Sequence, residues 1–285
     1  MIYDHDENSF TPVPRGTEGK SYPFGVSWHG DRLFIAWRHP YEILEYDQAF
    51  KPTGRKCESP EGSRTFGDIH QITCFDGKIW TASTGCNKIC VHDAETLEFI
   101  EDWAPHKAIP EEDFPTRKSK KAQPHYKHYN SIMFNNNRVY INAHMTVHNP
   151  PSRVWVFKYP SKKFIRKIRG GLSTHNIFFV DNILTVCDSG HGQILQPESG
   201  KVLFKSKSDS FLRGISMPPG LLIIGTAERC ARPQRPNAKG GLIFIKNKNF
   251  NNPQIKLLGK GPVEEIRCLD MDDEAHPVKP FLDKK

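Results

Sequence analysis

The chain has 285 residues, of which 37% are hydrophobic and 25% charged, with a formal charge of +8. That balance excludes a disordered chain and leaves room for a full hydrophobic core. No run approaches the ~18 apolar residues that cross a bilayer, and the acidic, polar residues 1–8 do not read as a signal peptide, so the expectation is a cytoplasmic protein with no membrane partner.

One pattern, an apolar strand, a turn and a second apolar strand, recurs five times. In chain order the first copy spans residues 24–34, Phe-Gly-Val-Ser-Trp-His-Gly-Asp-Arg-Leu-Phe, and an apolar stretch follows at 42–46. Residues 51–67 are then rich in Pro, Gly, Ser and charge, so this unit lacks a legible fourth strand. The second copy, 70–80, opens on His70 and continues with strands at 88–92 and 98–102. The third, 130–140, opens on Asn130 and is followed by 153–157 and 163–167. The fourth, 175–185, opens on His175, with 193–195 and 201–204 after it; the fifth, 213–223, opens on Arg213, with 242–245 and 254–258 after it. Gly-Asp, Asp-Gly, Asn-Asn, Asp-Asn and Pro-Gly occupy the turns, residues that tolerate positive φ or preset a tight hairpin.

Four short antiparallel strands repeated at this spacing predict an all-β propeller, a single domain over residues 1–285. Helical periodicity is confined to at most one turn near 109–114, which disfavours an α/β fold. Residues 265–269, Glu-Ile-Arg-Cys-Leu, read as another innermost strand without partners after it. Inserted into the first unit, they close five blades of four strands; heading a blade of their own, they make six. Residues 105–127, with four prolines and mixed charge, exceed an ordinary inter-blade connection and read as a lid or insertion. The basic run 117–121 has no interleaved aromatics, so it reads as a solvated loop and nucleic acid is not the expected partner.

Innermost strands line a propeller's central channel, so residues at matched repeat positions become neighbours there. His70, His128, Asn130, His175, Arg213, Glu265 and Arg267 are expected to share it, because residues two apart in a strand point the same way. The ends of the second strands bring His144, Asp188, His191 and Arg229 to the same mouth. Imidazoles from three strands can converge on a transition metal with positions left open, which makes His70, His128 and His175 the candidate ligands, against the alternative of hydrogen-bonded channel lining. Arg213, Arg229 and Arg267 suit a bidentate grip on a carboxylate or phosphate, unless Glu228, Glu264, Glu265 or Asp270 already pair with them. In a catalytic site a histidine or Glu265 would act as general base, while Asn130, His144, Asp188 and His191 would help hold the substrate. The seven cysteines are an odd number and several lie in strand-like segments, which argues against a disulfide framework; residues 86 and 90 lack the second pair that a zinc site needs.

Three blocks, His-Tyr-Asn-Ser-Ile at 128–132, Gly-Leu-Ser-Thr-His-Asn-Ile at 171–177 running on to Cys-Asp-Ser-Gly at 187–190, and Phe-Leu-Arg-Gly-Ile at 211–215 with Val-Glu-Glu-Ile at 263–266, resemble an uncharacterised family of bacterial propellers, loosely NHL-like. The resemblance implies the fold and assigns no reaction. Carotenoid-cleaving oxygenases, which hold iron with inner-strand histidines in a larger ring, offer a fold-level analogy only. The sequence therefore points to an enzyme or enzyme-like protein, a metal-dependent lyase, hydrolase or oxygenase, that takes a small anionic or polar molecule. The rival is a non-catalytic propeller that recognises a glycan or protein through exposed aromatics such as Trp28, Trp37 and Trp103.

Overall fold

The structure is a computed structural model that describes residues 2–4, 6–14, 22–38, 40–57, 66–109, 127–144, 151–206, 210–246, 250, 252–276 and 278–282. A short hairpin of β1 (Ile2–Asp4) and β2 (Ser9–Thr11) precedes five four-stranded antiparallel sheets. The first is β3 (Tyr22–His29), β4 (Arg32–Arg38), β5 (Glu42–Tyr46) and β6 (Pro52–Lys56); the second is β7 (Ile69–Phe75), β8 (Lys78–Ser83), β9 (Lys88–Asp93) and β10 (Phe99–Trp103). The third holds β11 (Tyr129–Asn135), β12 (Arg138–Ala143), β13 (Arg153–Lys158) and β14 (Lys163–Arg169), the fourth β15 (His175–Val180), β16 (Ile183–Asp188), β17 (Gln193–Gln196) and β18 (Lys201–Lys205). The fifth holds β19 (Ser210–Ser216), β20 (Leu221–Glu228), β21 (Lys239–Lys246) and β22 (Gln254–Lys260). Helical structure among the described residues is limited to short 3-10 turns, and no helix is long and apolar enough to cross a membrane. All seven cysteines are free thiols.

Each sheet is a blade, with its first strand innermost. The alternation read in the sequence sends successive side chains into the gaps on the two sides of a blade, and the core lies in those gaps. Between the second and third blades Trp80, Phe134, Ile141 and Trp155 pack together, and Phe75 stacks on Phe134 at 4.2 Å between centroids. Close approach at the axis demands small residues: a Cβ on Gly25 of β3 would lie 2.7 Å from the Ile72 nitrogen of β7. Because the obstacle is backbone, Gly25→Ala is expected to cost about 1–3 kcal/mol by overpacking, read as a lowered Tm; an unchanged Tm would mean the two blades are free to move apart.

Ring closure differs from the expectation in one respect. The first blade has its own fourth strand, β6, and the C-terminal residues insert into no sheet. Edge strands tolerate proline at their first position and glycine within, since one side of the ladder is unused, and β6 carries both as Pro52 and Gly54. The fifth and first blades are instead joined by residues 262–282, which run between them as an irregular wedge. On the fifth blade, Asp273 accepts from the Met217 nitrogen at 2.7 Å and from the Ser216 hydroxyl at 2.6 Å, and His276 Nε2 lies 2.7 Å from the Ile215 carbonyl oxygen. On the first, Trp28 Nε1 donates to the Lys279 carbonyl at 2.6 Å, and Phe281 packs against Trp28 and Phe50. The alternation of residues 265–269 thus arises from a segment that buries side chains without a backbone ladder, and there is no sixth blade. Within 105–127, residues 105–108 form a 3-10 turn, while most of the expected lid, 110–126, lies outside the described residues.

Candidate functional site

Every innermost strand carries a bulge near its start, where the end of the second strand runs alongside: the register shifts at 23/25, 69/71, 129/131, 175/177 and 213/215. Bulges re-aim side chains, and these lie where the mouth is built. The first and second strands meet there as expected, with the His144 nitrogen donating to the His128 carbonyl at 3.1 Å.

Four imidazoles form an unbroken chain across the mouth. His70 and His128 stand 4.7 Å apart between ring centroids, His128 and His144 5.0 Å, and His144 and His175 5.8 Å. Phe24 beside His70 (5.7 Å) and Phe211 beside His175 (5.2 Å) extend the arc at its two ends. His70 and His175 are buried, His128 and His144 half-buried.

The outer two rings have a fixed tautomer. His70 Nδ1 lies 2.9 Å from the Asp68 carbonyl oxygen, and His175 Nδ1 2.7 Å from that of Ser173. A carbonyl only accepts, so each Nδ1 carries the proton and each Nε2 keeps a lone pair. Asp68 and Ser173, two residues upstream of their rings, both adopt left-handed backbone, φ 51° and 50°, and their carbonyls turn back onto the rings. His144 Nδ1 is buried with no hydrogen-bond partner.

All four rings are held neutral. Burial drives His70, His128 and His175 well below the ordinary histidine range, with Arg213 adding to His70 and His175, and His70 and His144 adding to His128. His144 is lowered to about 4 by burial, then by Arg213 and Arg235. Neutral imidazoles are the ligating form, and a backbone carbonyl on Nδ1 is the usual support for a metal-binding Nε2. Two rings sharing one ion at ~2.1 Å per nitrogen have centroids roughly 5 Å apart, the spacing of the His70–His128 and His128–His144 pairs. Among the described residues, however, no group of three or more His, Cys, Asp or Glu side chains is placed to hold a metal ion. What the rings offer a metal is pairwise spacing and, for the outer two, a free Nε2.

Arg213, buried, faces the rings. It pairs with Glu264 of the wedge, as the alternative reading of the sequence required, while its Nε has no hydrogen-bond partner. Arg38 pairs with Asp68 at 2.9 Å, and both Arg38 and Arg213 lie over the Phe24 ring, at 5.2 and 5.9 Å. Arg229 is exposed, lies over Phe211 and donates to the Ser189 and Gly190 carbonyls.

The other expected site residues are engaged elsewhere. Asn130 donates to the Thr174 carbonyl at 2.7 Å and accepts from Asn142 at 2.6 Å, tying the third blade to the fourth. Asp188 accepts from the Leu172 nitrogen (2.7 Å), His191 Nδ1 (2.8 Å) and Gln193 (2.8 Å), which organises the rim, with His191 exposed beside it. Glu265 lies deeper, in the channel itself, where it pairs with Arg267 and accepts from Gln71 at 3.0 Å and Asn176 at 3.3 Å. The two aromatic flanks were not foreseen. Phe24 stands at the leader position of the first repeat, which is the signal that could have found it; Phe211, two residues before Arg213, carries no such mark. The tryptophans offered as exposed recognition residues are not exposed: Trp28 and Trp37 are buried and hydrogen-bonded to the Lys279 carbonyl and the Tyr46 hydroxyl, and Trp103 packs on Phe157. An apolar strand position next to a tight turn is still a core position in a propeller.

Fold and site together define a five-bladed β-propeller with an imidazole- and guanidinium-lined mouth. No protein-family model matches the sequence, and no curated protein matches it. Among solved structures the chain is similar to the Cps50 (Swd1) β-propeller domain of Myceliophteria thermophila, with 10% identity, 96% of this chain and 83% of that one covered, and a TM-score of 0.58. It is similar also to a protein of unknown function from Bacteroides caccae (11% identity, 92% and 89% covered, TM-score 0.53) and to hydrazine synthase of Kuenenia stuttgartiensis (12%, 90% and 70%, 0.51). At such identities the likeness is one of fold alone, and the resemblance to uncharacterised bacterial propellers stays at that level.

Proposed function

We propose that the mouth binds a transition-metal ion through His70, His128, His144 and His175, and that a small anionic or polar molecule is held beside it by Arg213. The observation that carries this reading is the chain of four neutral imidazoles whose outer members are locked with Nε2 unprotonated. Four rings without a nearby carboxylate acceptor on Nε2 are poor anion hosts by themselves, because lone pairs repel an anion; a cation between them reverses that sign. When bound, the metal would act as a Lewis acid on the substrate. Arg213, with one Nε–H unsatisfied, would orient the anionic group by a charge-assisted bond, and Phe24 and Phe211 would shield the ends of the arc from water. Glu265 and Arg267 belong in this reading to the channel plug, and Asn130, Asp188 and His191 to the walls that fix the mouth. The setting is an enzyme or enzyme-like binding protein in the cytoplasm.

Elemental analysis of the purified protein, before and after chelation, tests the metal. About one equivalent of a transition metal, lost in His70→Ala and in His175→Ala while both variants keep the native circular dichroism spectrum, is expected. Metal content that is negligible after reloading with zinc, iron, manganese, copper or nickel, or unchanged in the folded variants, would remove the assignment.

A further inference from the structure

The formal charge of +8 is not spread over the ring. Residues 114–180 hold 13 of the 40 lysines and arginines and none of the 32 carboxylates, so the remaining 218 residues carry a net charge of −5. This stretch covers the third blade, the connection that leads into it and the first strand of the fourth blade, and all nine of its cations outside residues 117–121 lie between Lys127 and Arg169. Within the blade, like charges stand directly opposite one another across the strands. Lys158 of β13 faces Arg138 of β12 on one side and Lys163 of β14 on the other, and at the far end of β13 Arg153 faces Arg169. Like charges in such register destabilise a sheet. Two cations of the blade reach carboxylates of its neighbours, Lys162 with Glu101 of the second blade and Arg166 with Glu198 of the fourth, the latter at 2.6 Å.

Lysines on an edge strand have an ordinary purpose, which is to discourage edge-to-edge pairing. That accounts for Lys163 on β14. It does not account for Arg138 and Lys158 on inner strands, nor for the complete absence of acidic residues. Two further features point to the kind of partner. β14 is the outermost strand, and its outer backbone edge has no strand beside it among the described residues. Ile165 in the middle of that strand, at a β-bulge between Phe164 and Arg166, is 43% exposed. A nucleic-acid backbone would satisfy the cations but offer nothing to the isoleucine or to the open hydrogen-bonding edge. An extended acidic polypeptide satisfies all three.

We propose that the edge of the third blade binds an extended segment of a protein partner rich in Asp and Glu with interspersed apolar residues, added as a fifth strand against β14. Main-chain hydrogen bonds would supply the register, and cross-strand carboxylates would face Lys163 and Arg169, offsetting the repulsion these exert on Lys158 and Arg153 behind them. This surface is separate from the mouth and does not depend on the metal.

The probe is a fluorescein-labelled peptide of alternating glutamate and valine, about eight residues long, titrated against the full chain with anisotropy as the readout and hydrogen exchange of the β14 amides alongside. Saturable binding with slowed exchange in β14 is expected. Lys163→Glu with Arg169→Glu should weaken it by at least about tenfold, while Lys201→Glu with Lys205→Glu on β18 should change it less than about twofold. The first pair removes like-charge repulsion, so its Tm should not fall, which separates lost binding from lost folding. No binding, equal loss in both variant pairs, unslowed β14 amides, or tighter binding of poly-uridylate RNA or phosphatidylserine vesicles than of the peptide would each overturn the proposal.

Discussion

Replacing Arg267 by methionine is expected to lower the unfolding free energy by about 3–5 kcal/mol, the largest single effect of any substitution away from the mouth. Arg267 and Glu265 pair inside the channel, their side chains 2% and 5% exposed. Burial pushes the Glu265 carboxyl above its usual range and Arg267 is the main influence drawing it back. Without the guanidinium the carboxylate is left with Gln71, Asn176, the Ile266 nitrogen and a neutral His276 at 4.0 Å to answer its charge. The same substitution combined with Glu265→Gln leaves no lone charge, so the double variant should recover more than half of the loss. Urea unfolding at pH 7, followed by tryptophan fluorescence, measures both; Trp28, bonded to Lys279 of the wedge, is a natural reporter. A loss below about 1 kcal/mol for Arg267→Met would show that the ion pair does not hold the C-terminal segment in the ring.

Acid should unfold the chelated protein well before its carboxylates titrate. His70, His128, His175 and His276 are held well below the ordinary histidine value by burial, and His144 at about 4. A folded pKa below the unfolded one means that the unfolded chain takes up protons first as pH falls. The stabilising contribution is therefore complete above about pH 6.5 and drains away as pH falls below it, down to about pH 4 for His144, at up to ~1.4 kcal/mol per pH unit for each ring. Five rings acting together would cost several kcal/mol by pH 5.5, less for the half-exposed His144 and His128. Glu265 and Asp273, both raised by burial, oppose the trend only where carboxylates titrate. Urea midpoints at pH 7.5, 6.5 and 5.5 in the presence of chelator test this, and the fall should be shallower in His70→Gln and His175→Gln. A midpoint that does not move between pH 7.5 and 5.5 would mean that the rings are solvated.

The link between these two expectations is the wedge. Glu264 meets Arg213 at the mouth, Glu265 meets Arg267 in the channel, and His276 meets Ile215 on the fifth blade. The same segment thus closes the ring and supplies a counter-charge to the mouth, so loosening it would disturb the candidate site as well as the fold.

The blades are written locally in the amino-acid order. Alternating apolar positions and turn residues such as Asp76-Gly77 and Asn136-Asn137 act locally, through side-chain period and positive φ, and β7 and β8 or β11 and β12 are legible for that reason. Matching repeat positions was enough to bring His70, His128, His144, His175 and Arg213 to one mouth, because radial symmetry converts equal positions into neighbours. Features that depend on contacts between blades emerge only from the packed ring. Whether residues 265–269 enter a ladder turns on the gap left between β19 and β3, and β6 survives its proline and glycine only because an edge strand uses one side. Trp28 and Trp37 are core rather than surface because they pack with the other strands of the first blade and with Leu269, Val278 and Phe281 of the wedge. The engagement of Asn130, Asp188 and Glu265 with backbone and neighbouring side chains is equally non-local: a polar residue's type announces that it needs partners, and only the packed ring says which ones it found.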